Sequence, residues 1–228
     1  QLHAHGQAAR GGDAPHALQQ RGLAQELGRT ARDSGATAIS LLPPWYFAPR
    51  PEDVAEFMVR VADAVGLPLI IYNFPERTGH RLDLDTIASV CDRVHVTGLK
   101  QSGAEFDYHR DLAALGRQKG FTLITGSDTR IPEAFALGAR GVISGLANAI
   151  PEWILAVLRA VQRGQPAAAT TPAADIQGVL PHLEDLPFPL DVEVCMAARS
   201  RPTGARKVVL SNATRQRAES AQARIAAW

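Results

Sequence analysis

Five short apolar runs alternate along the chain with longer segments in which apolar residues recur at the spacing of a helix. Most of the runs are apolar at consecutive positions and end at a turn residue, which is typical of parallel strands buried on both faces. Strands and helices in alternation favour an α/β fold with a parallel sheet. The five predicted strands comprise residues 37–43, 67–73, 94–100, 121–126 and 141–146.

Helical periodicity is clearest in residues 51–65, where Pro51 stands at the first turn and Val54, Met58 and Val61 recur on one face. A helix of this length between two strands has the size expected of a single βα unit. Further helices are predicted at residues 23–33, 83–91, 104–119, 131–137 and 151–162.

The pattern changes after Gly164. Residues 164–175 are rich in Ala, Thr and Pro, which is typical of a loop or linker. Helices are predicted beyond it at residues 176–184, 191–199 and 212–227. Ser211 is the expected N-cap of the last one. We therefore divide the chain into a partial β/α barrel, residues 1–164, and a C-terminal helical extension, residues 165–228.

The first 20 residues fit the alternation poorly, because only Gln1–Gly6 has the pattern of a strand. Counting that segment, the chain supplies five to six strands, whereas a closed β/α barrel needs eight. The predicted fold is thus α/β, a TIM (β/α)8-type barrel that is incomplete at its N-terminal side. His3 and His5 would share one face of such a strand, but no third ligand stands at a suitable spacing, so no metal site is predicted.

Composition narrows the classes of partner. Hydrophobic residues make up 46% and charged residues 21%, as in globular proteins, and the net charge of +1 gives no reason to expect nucleic acid or an anionic membrane. No apolar run approaches the roughly 18 residues of a membrane span. Cys91 and Cys195 show neither metal-ligand spacing nor a disulfide framework, which favours a reducing compartment, the cytoplasm.

Two strand ends carry candidate chemistry. Lys100 closes the third apolar run, and Tyr72 lies near the end of the second. In a parallel barrel the carboxyl ends of the strands open on one mouth, so we expect both side chains to face one pocket. A neutral lysine amine forms Schiff bases with carbonyls, and a neighbouring phenol can move the protons involved. Taken alone, Lys100 could equally reach solvent, and Tyr72 could be a packed aromatic.

The motifs around these residues resemble one family. Residues 72–79, Tyr-Asn-Phe-Pro-Glu-Arg-Thr-Gly, are similar to the Tyr-Asn-x-Pro-x-Arg-Thr-Gly motif of the dihydrodipicolinate synthase and N-acetylneuraminate lyase family. Residues 98–103, Gly-Leu-Lys-Gln-Ser-Gly, resemble its Schiff-base lysine motif, one βα unit further on. Residues 125–128 and 141–144 are similar to its next two strand ends, and residues 44–46 to its Pro-Tyr-Tyr turn. Two long motifs in order at this spacing are a specific signal.

The resemblance implies an enzyme of the class I aldolase type that needs no cofactor. Lys100 would form an imine with the ketone of pyruvate or a longer 2-oxo acid, and Tyr72 would be the proton relay. Arg77 matches the residue that receives a carboxylate in the synthase branch, a task that suits a guanidinium fork. The alternative for Arg77 is an ordinary surface cation.

Five further positions are assigned by the same resemblance. Gly126 and Ile143 would line the pocket around the imine. Ser102 and Asp128 occupy positions that contact the polar groups of the second substrate in the sugar-acid branch. Tyr46 matches a tyrosine that reaches a neighbouring subunit's site, although it could equally be an ordinary loop aromatic. The family also implies a homo-oligomer, a dimer or a tetramer.

The chain departs from the family in one respect. The Gly-Thr-Thr-Gly-Glu type of motif that follows the family's second strand is not found, so we expect about two βα units to be missing, with Gln1–Gly6 as the start of the third. Three interpretations stay open. The chain is a Schiff-base lyase that cleaves or condenses a pyruvate-type 2-oxo acid with an aldehyde, a deoxy sugar-acid dehydratase using the same imine, or a catalytically impaired homologue serving as an interaction module. Arg77 favours a synthase or dehydratase, whereas Gln101 resembles the sialic acid lyase branch.

Overall fold

The computed structural model describes residues 20–45, 49–206 and 208–227. They divide into two compact units. Unit 1 comprises the described residues up to Thr125 together with Leu137–Gly141, and unit 2 comprises Gly126–Ala136 and the described residues from Val142 onwards. The boundary predicted between residues 164 and 165 followed composition and stays a prediction.

Five strands form one sheet within the described residues, and all five predicted strand positions are confirmed. Their order in the sheet is their order in the chain, and β1 to β4 pair in parallel. A consecutive order without reversal is that of a β/α barrel rather than of a doubly wound sheet. The strands are β1 Ile39–Leu41, β2 Leu69–Asn73, β3 Val96–Gln101, β4 Thr122–Thr125 and β5 Gly141–Val142.

The helices of unit 1 begin and end at recognisable signals. Asp83 caps α4 by accepting a hydrogen bond from the Thr86 amide at 2.7 Å, and Gly66 ends α2 in the left-handed conformation. The one helix that periodicity missed is the single turn α3, which Pro75 opens. The helices are α1 Gln20–Asp33, α2 Pro51–Val65, α3 Pro75–Thr78, α4 Leu84–Cys91 and α5 Tyr108–Lys119.

The sheet of unit 1 has two different faces. Leu69, Ile71, Leu99 and Leu123 are at most 2% exposed and lie on the face that the helices cover. We call this the outer face, and the opposite one the inner face. A bulge interrupts the pairing of β2 with β3, because Leu69 pairs with Val96 but the next residue, Ile70, pairs with Gly98.

Unit 2 is mainly helical. Its helices pack around one apolar cluster that includes Ile131, Ile150, Val157, Ile176, Cys195 and Ala221. Ser211 is confirmed as the cap of the last helix, because its hydroxyl accepts a hydrogen bond from the Thr214 amide at 3.2 Å. The helices are α6 Ile131–Ala136, α7 Pro151–Gln162, α8 Thr170–Val179, α9 Leu190–Ala198 and α10 Asn212–Ala227.

The loop predicted at residues 164–175 is wrong. A 3-10 helix occupies Pro166–Ala169, and α8 begins at Thr170. Alanine has the highest helix propensity, and both prolines of the segment fall in first turns, where a missing N–H costs no hydrogen bond. The strand predicted at Gln1–Gly6 and the histidines within it lie outside the described residues.

Candidate active site

Tyr72 and Lys100 are neighbours at the carboxyl ends of β2 and β3. They are register partners in the parallel pairing, so both side chains project from the inner face. Lys100 Nζ lies 4.0 Å from the centroid of the Tyr72 ring. At this distance the aromatic face attracts the ammonium form of the lysine. Both residues are only partly buried.

A stacked aromatic pair connects this lysine to Arg77. The Tyr72 and Phe74 rings have centroids 5.9 Å apart and planes inclined by 23°. The Arg77 guanidinium carbon lies 5.8 Å from the centroid of the Phe74 ring, on the exposed side of α3. The predicted nucleophile, the predicted proton relay and the predicted carboxylate receptor thus follow one another along a single row of side chains.

The loop after β3 is fastened to α3. The Ala104 amide donates a hydrogen bond of 2.6 Å to Glu76 Oε1, and the Ser102 amide donates one of 3.0 Å to the Asn73 carbonyl. Gly103 lies between these bonds at φ 103°, and a Cβ there would overlap the Glu76 carboxylate. Ser102 itself is 7% exposed, so its predicted contact with a second substrate stays a prediction.

A pair of amides that the sequence analysis did not assign to the site stands on the outer face. Asn73 and Gln101 are register partners one residue beyond Tyr72 and Lys100, and they are 0% and 1% exposed. Asn73 Nδ2 donates a hydrogen bond of 2.7 Å to Gln101 Oε1. A polar residue closing each of two adjacent apolar runs is the signal that could have revealed the pair.

The polar row continues on β4. Thr125 pairs with Gln101 in register and is fully buried. Its hydroxyl lies 3.1 Å from Nε2 of His109, whose Nδ1 lies 2.8 Å from the Phe106 carbonyl. Since a carbonyl only accepts, Nδ1 carries a proton and donates a hydrogen bond to the Phe106 carbonyl. His109 belongs to α5, so this helix covers the outer face beside Thr125.

Three of the predicted pocket residues belong to unit 2. Asp128 Oδ2 accepts a hydrogen bond of 3.2 Å from the Leu146 amide, at the start of a 3-10 turn. Asp128 therefore helps to hold this turn. Gly126 and Ile143 are partly buried. The pocket roles predicted for all three residues stay predictions.

The remaining predicted residue, Tyr46, lies outside the described residues. Among those that are described, no group of three His, Cys, Asp or Glu side chains could hold a metal ion. None of the described helices is long and apolar enough to cross a membrane.

Known proteins share both the sequence and the fold. A sequence profile of the dihydrodipicolinate synthetase family matches residues 21–225. The 4-hydroxy-tetrahydrodipicolinate synthase of Staphylococcus carnosus is 36% identical over 135 residues, which are 59% of this chain and 46% of that protein. The protein of the same name from Natronomonas pharaonis is 34% identical over 141 residues, or 62% and 48%. The chain thus spans about half the length of the curated relatives it matches.

Solved structures extend the likeness over most of the chain. The dihydrodipicolinate synthase of Acinetobacter baumannii, complexed with pyruvate, matches with a TM-score of 0.77 at 28% identity, covering 91% of this chain and 72% of that one. The sialic acid aldolase of Ruminococcus gnavus gives 0.76 at 20% identity, covering 88% and 69%, and shows the common fold alone. Because the family profile spans nearly all the described residues, the predicted resemblance is confirmed, and the chain belongs to the dihydrodipicolinate synthetase family.

Proposed function

We propose that this chain is a Schiff-base lyase or aldolase whose nucleophile is Lys100 and whose substrate is a pyruvate-type 2-oxo acid. The observation that carries the proposal is the contact of Lys100 Nζ with the Tyr72 ring, 4.0 Å from its centroid, at neighbouring strand ends. Membership of a family whose relatives are synthases and aldolases supports it. The pyruvate bound to the Acinetobacter baumannii enzyme supports the class of substrate.

The chemistry needs the amine in its neutral form. Lys100 Nζ attacks the ketone carbon of the 2-oxo acid, and the resulting carbinolamine loses water to give the imine. A proton leaves the carbon next to the imine to give an enamine. The enamine adds to the aldehyde carbon and forms the new C–C bond, the aldehyde oxygen takes up a proton, and the lysine nitrogen returns to the imine. Water then hydrolyses the imine and frees Lys100, and cleavage is the same sequence reversed. The Tyr72 phenol is suited to moving protons in these steps, and Arg77 to holding a carboxylate.

Borohydride trapping tests the proposal on the full chain. The chain contains only three lysines, Lys100, Lys119 and Lys207, so peptide mapping separates the candidates cleanly. After incubation with pyruvate and reduction, we expect a pyruvyl adduct on the Lys100 peptide. The matched control is Lys119, which is bound to Asp92 at 2.6 Å and stays unmodified. A Lys100→Arg variant should keep the fold and form no adduct.

A folded sample that yields no adduct would contradict the proposal. It would favour the alternative of an impaired homologue that acts as an interaction module. An adduct equally strong on all three lysines would also count against a specific site, because it would reflect the ordinary reactivity of exposed amines.

The second substrate is proposed to be an aldehyde. Relatives named as synthases and a structural neighbour named as an aldolase both support carbon–carbon chemistry. A deoxy sugar-acid dehydratase is the alternative that uses the same imine. The two are distinguished by incubating protein that forms the adduct either with pyruvate plus an aldehyde or with a deoxy sugar acid alone. A lyase or aldolase forms a C–C bond in the first mixture, whereas a dehydratase releases water from the sugar acid in the second.

Family membership supports a proposal on assembly, and the absence of a disulfide framework in the sequence supports one on location. We propose a homo-oligomer, a dimer or a tetramer, working in the cytoplasm. Light scattering on the purified chain measures the mass directly, and a monomer of 24.4 kDa at micromolar concentration would contradict the proposed assembly.

A further inference from the structure

The buried amides of Asn73 and Gln101 belong to a hydrogen-bond chain with one fixed direction. The Leu82 amide donates to Asn73 Oδ1 at 3.1 Å, so the other end of that side chain must be its NH₂ group. Asn73 Nδ2 donates to Gln101 Oε1 at 2.7 Å, and Gln101 Nε2 donates to the Ser102 carbonyl at 3.2 Å. Each amide therefore acts once as acceptor and once as donor, which neither a carboxylate nor an apolar side chain can do.

This series of hydrogen bonds joins β2 to β3 directly behind the site. Asn73 and Gln101 each follow a site residue, Tyr72 and Lys100, with no residue between. Both amides are buried, so an unsatisfied group there would be costly and the strand ends have little freedom to separate. The bond from the Ser102 amide to the Asn73 carbonyl closes the same link through the backbone.

We propose that Asn73 and Gln101 are positioning residues, whose amide–amide bond holds Lys100 Nζ over the Tyr72 ring. For its functional meaning the inference rests on the imine chemistry proposed above. Neither amide touches the reacting atoms, because both point from the outer face. Their effect is to fix the distance between two strand ends, and a misplacement of about 1 Å in a catalytic group can cost roughly 100-fold in rate.

The test compares two variants that remove buried hydrogen bonds, the two of the Gln101 amide in one variant and the single one of the Tyr108 hydroxyl in the other. Gln101→Met keeps the side-chain length but breaks the link between the strands. Tyr108→Phe is the matched control, because the Tyr108 hydroxyl donates to the Leu82 carbonyl at 3.0 Å and so supports the same segment without joining β2 to β3. We expect Gln101→Met to lose more stability in urea unfolding than Tyr108→Phe, because it also leaves the Asn73 NH₂ group without its acceptor, so trapping is compared under conditions in which both variants are folded.

The rate of imine formation should differ between Gln101→Met and Tyr108→Phe. In Gln101→Met the trapping rate at saturating pyruvate falls at least about tenfold, while the half-saturating pyruvate concentration changes little. In Tyr108→Phe neither quantity changes. The double variant Asn73→Gln with Gln101→Asn keeps two amides and the summed side-chain length, and it recovers much of the rate. Equal trapping rates in Gln101→Met and Tyr108→Phe would overturn the inference while leaving the proposed function intact.

A second readout does not depend on activity. With lysine labelled at the ε carbon, only three signals arise, and we expect the ring current of Tyr72 to shift that of Lys100 upfield. We expect the shift to persist in Tyr108→Phe and to disappear in Gln101→Met. If the unmodified chain formed no adduct, the proposed function would fail, yet this measurement would still decide whether the amides position Lys100. A shift retained in Gln101→Met would refute that role.

Discussion

Lys100 and Tyr72 lie side by side on adjacent parallel strands, with the lysine Nζ 4.0 Å from the centre of the tyrosine ring. The ring face stabilises the charged amine, whereas imine formation needs the neutral one. Tyr72 therefore has two separable parts: a ring that holds the lysine and a hydroxyl that is suited to proton transfer.

Tyr72→Phe separates these two parts. The variant keeps the ring and its stacking on Phe74, so we expect the Lys100 signal to stay shifted and the protein to remain folded. Loss of the hydroxyl should slow pyruvate trapping by about 100-fold, the lower end of the range for a general acid–base group. Rates from quenched borohydride reduction would measure this, and an unchanged rate would exclude the phenol from proton transfer.

Gly103→Ala should destabilise the protein more than Gly35→Ala. Both glycines have positive φ, 103° and 90°, so each substitution costs about 1 kcal/mol in backbone strain. A Cβ added at Gly35 would have no atom within 4 Å apart from those of its chain neighbours. At Gly103 the new Cβ displaces the Glu76 carboxylate from the Ala104 amide. We therefore expect a total of about 2 kcal/mol at Gly103, measured by urea unfolding. Equal losses would mean that the displaced bond contributes nothing.

Two glycines of α1 should respond in opposite directions. At Gly28 a Cβ would overlap the Val65 side chain, which is 0% exposed and stiff at χ1, so Gly28→Ala should cost about 1–3 kcal/mol. A Cβ added at Gly22 would meet no atom of another part of the structure within 4 Å. Gly22→Ala should therefore stabilise the helix by up to about 1 kcal/mol. Thermal unfolding of both variants checks the pair. A stabilising Gly28→Ala would show that α1 does not pack closely on α2.

Tyr108 should make the stability fall at alkaline pH. Desolvation by burial raises the pKa of Tyr108 to about 12. Because the unfolded chain releases this proton at about pH 10, the folded state binds more protons between these values, and stability falls as the pH rises from about 10 to about 12.

The measurement is the urea midpoint at about pH 9 and about pH 11 for the unmodified chain and for Tyr108→Phe. The unmodified chain should lose more between the two conditions than the variant, which has no phenol to titrate. Parallel losses would show that other groups dominate the alkaline transition.

The order of strands and helices could be predicted because it follows from local patterns. Each apolar run became a strand, since a stretch apolar on both faces has few alternatives to burial in a sheet. The alanine-rich residues 164–175 were predicted wrongly because alanine carries no hydrophobic pattern. Their helices depend on packing in unit 2, where Ala169 and Ile176 are at most 2% exposed.

The site could be predicted only in part. Lys100 and Tyr72 stood out because a lysine and a phenol at the ends of apolar runs have recognisable chemistry. Asn73 and Gln101 did not, because an amide adjacent to a strand end looks like the start of a turn. Their partnership depends on which residues of β2 and β3 stand opposite each other, and that is set by tertiary pairing rather than by local sequence.

The bulge between β2 and β3 has a consequence for the reaction itself. Counted without interruption from the pair Leu69 and Val96, Tyr72 would stand opposite Leu99, and Lys100 opposite Asn73. Because Thr97 is skipped, Lys100 stands opposite Tyr72 instead, and this creates the contact between the proposed nucleophile and the proposed proton relay. Loss of a single residue from this bulge would therefore separate the proposed nucleophile from the proposed proton relay while leaving both residues unmutated.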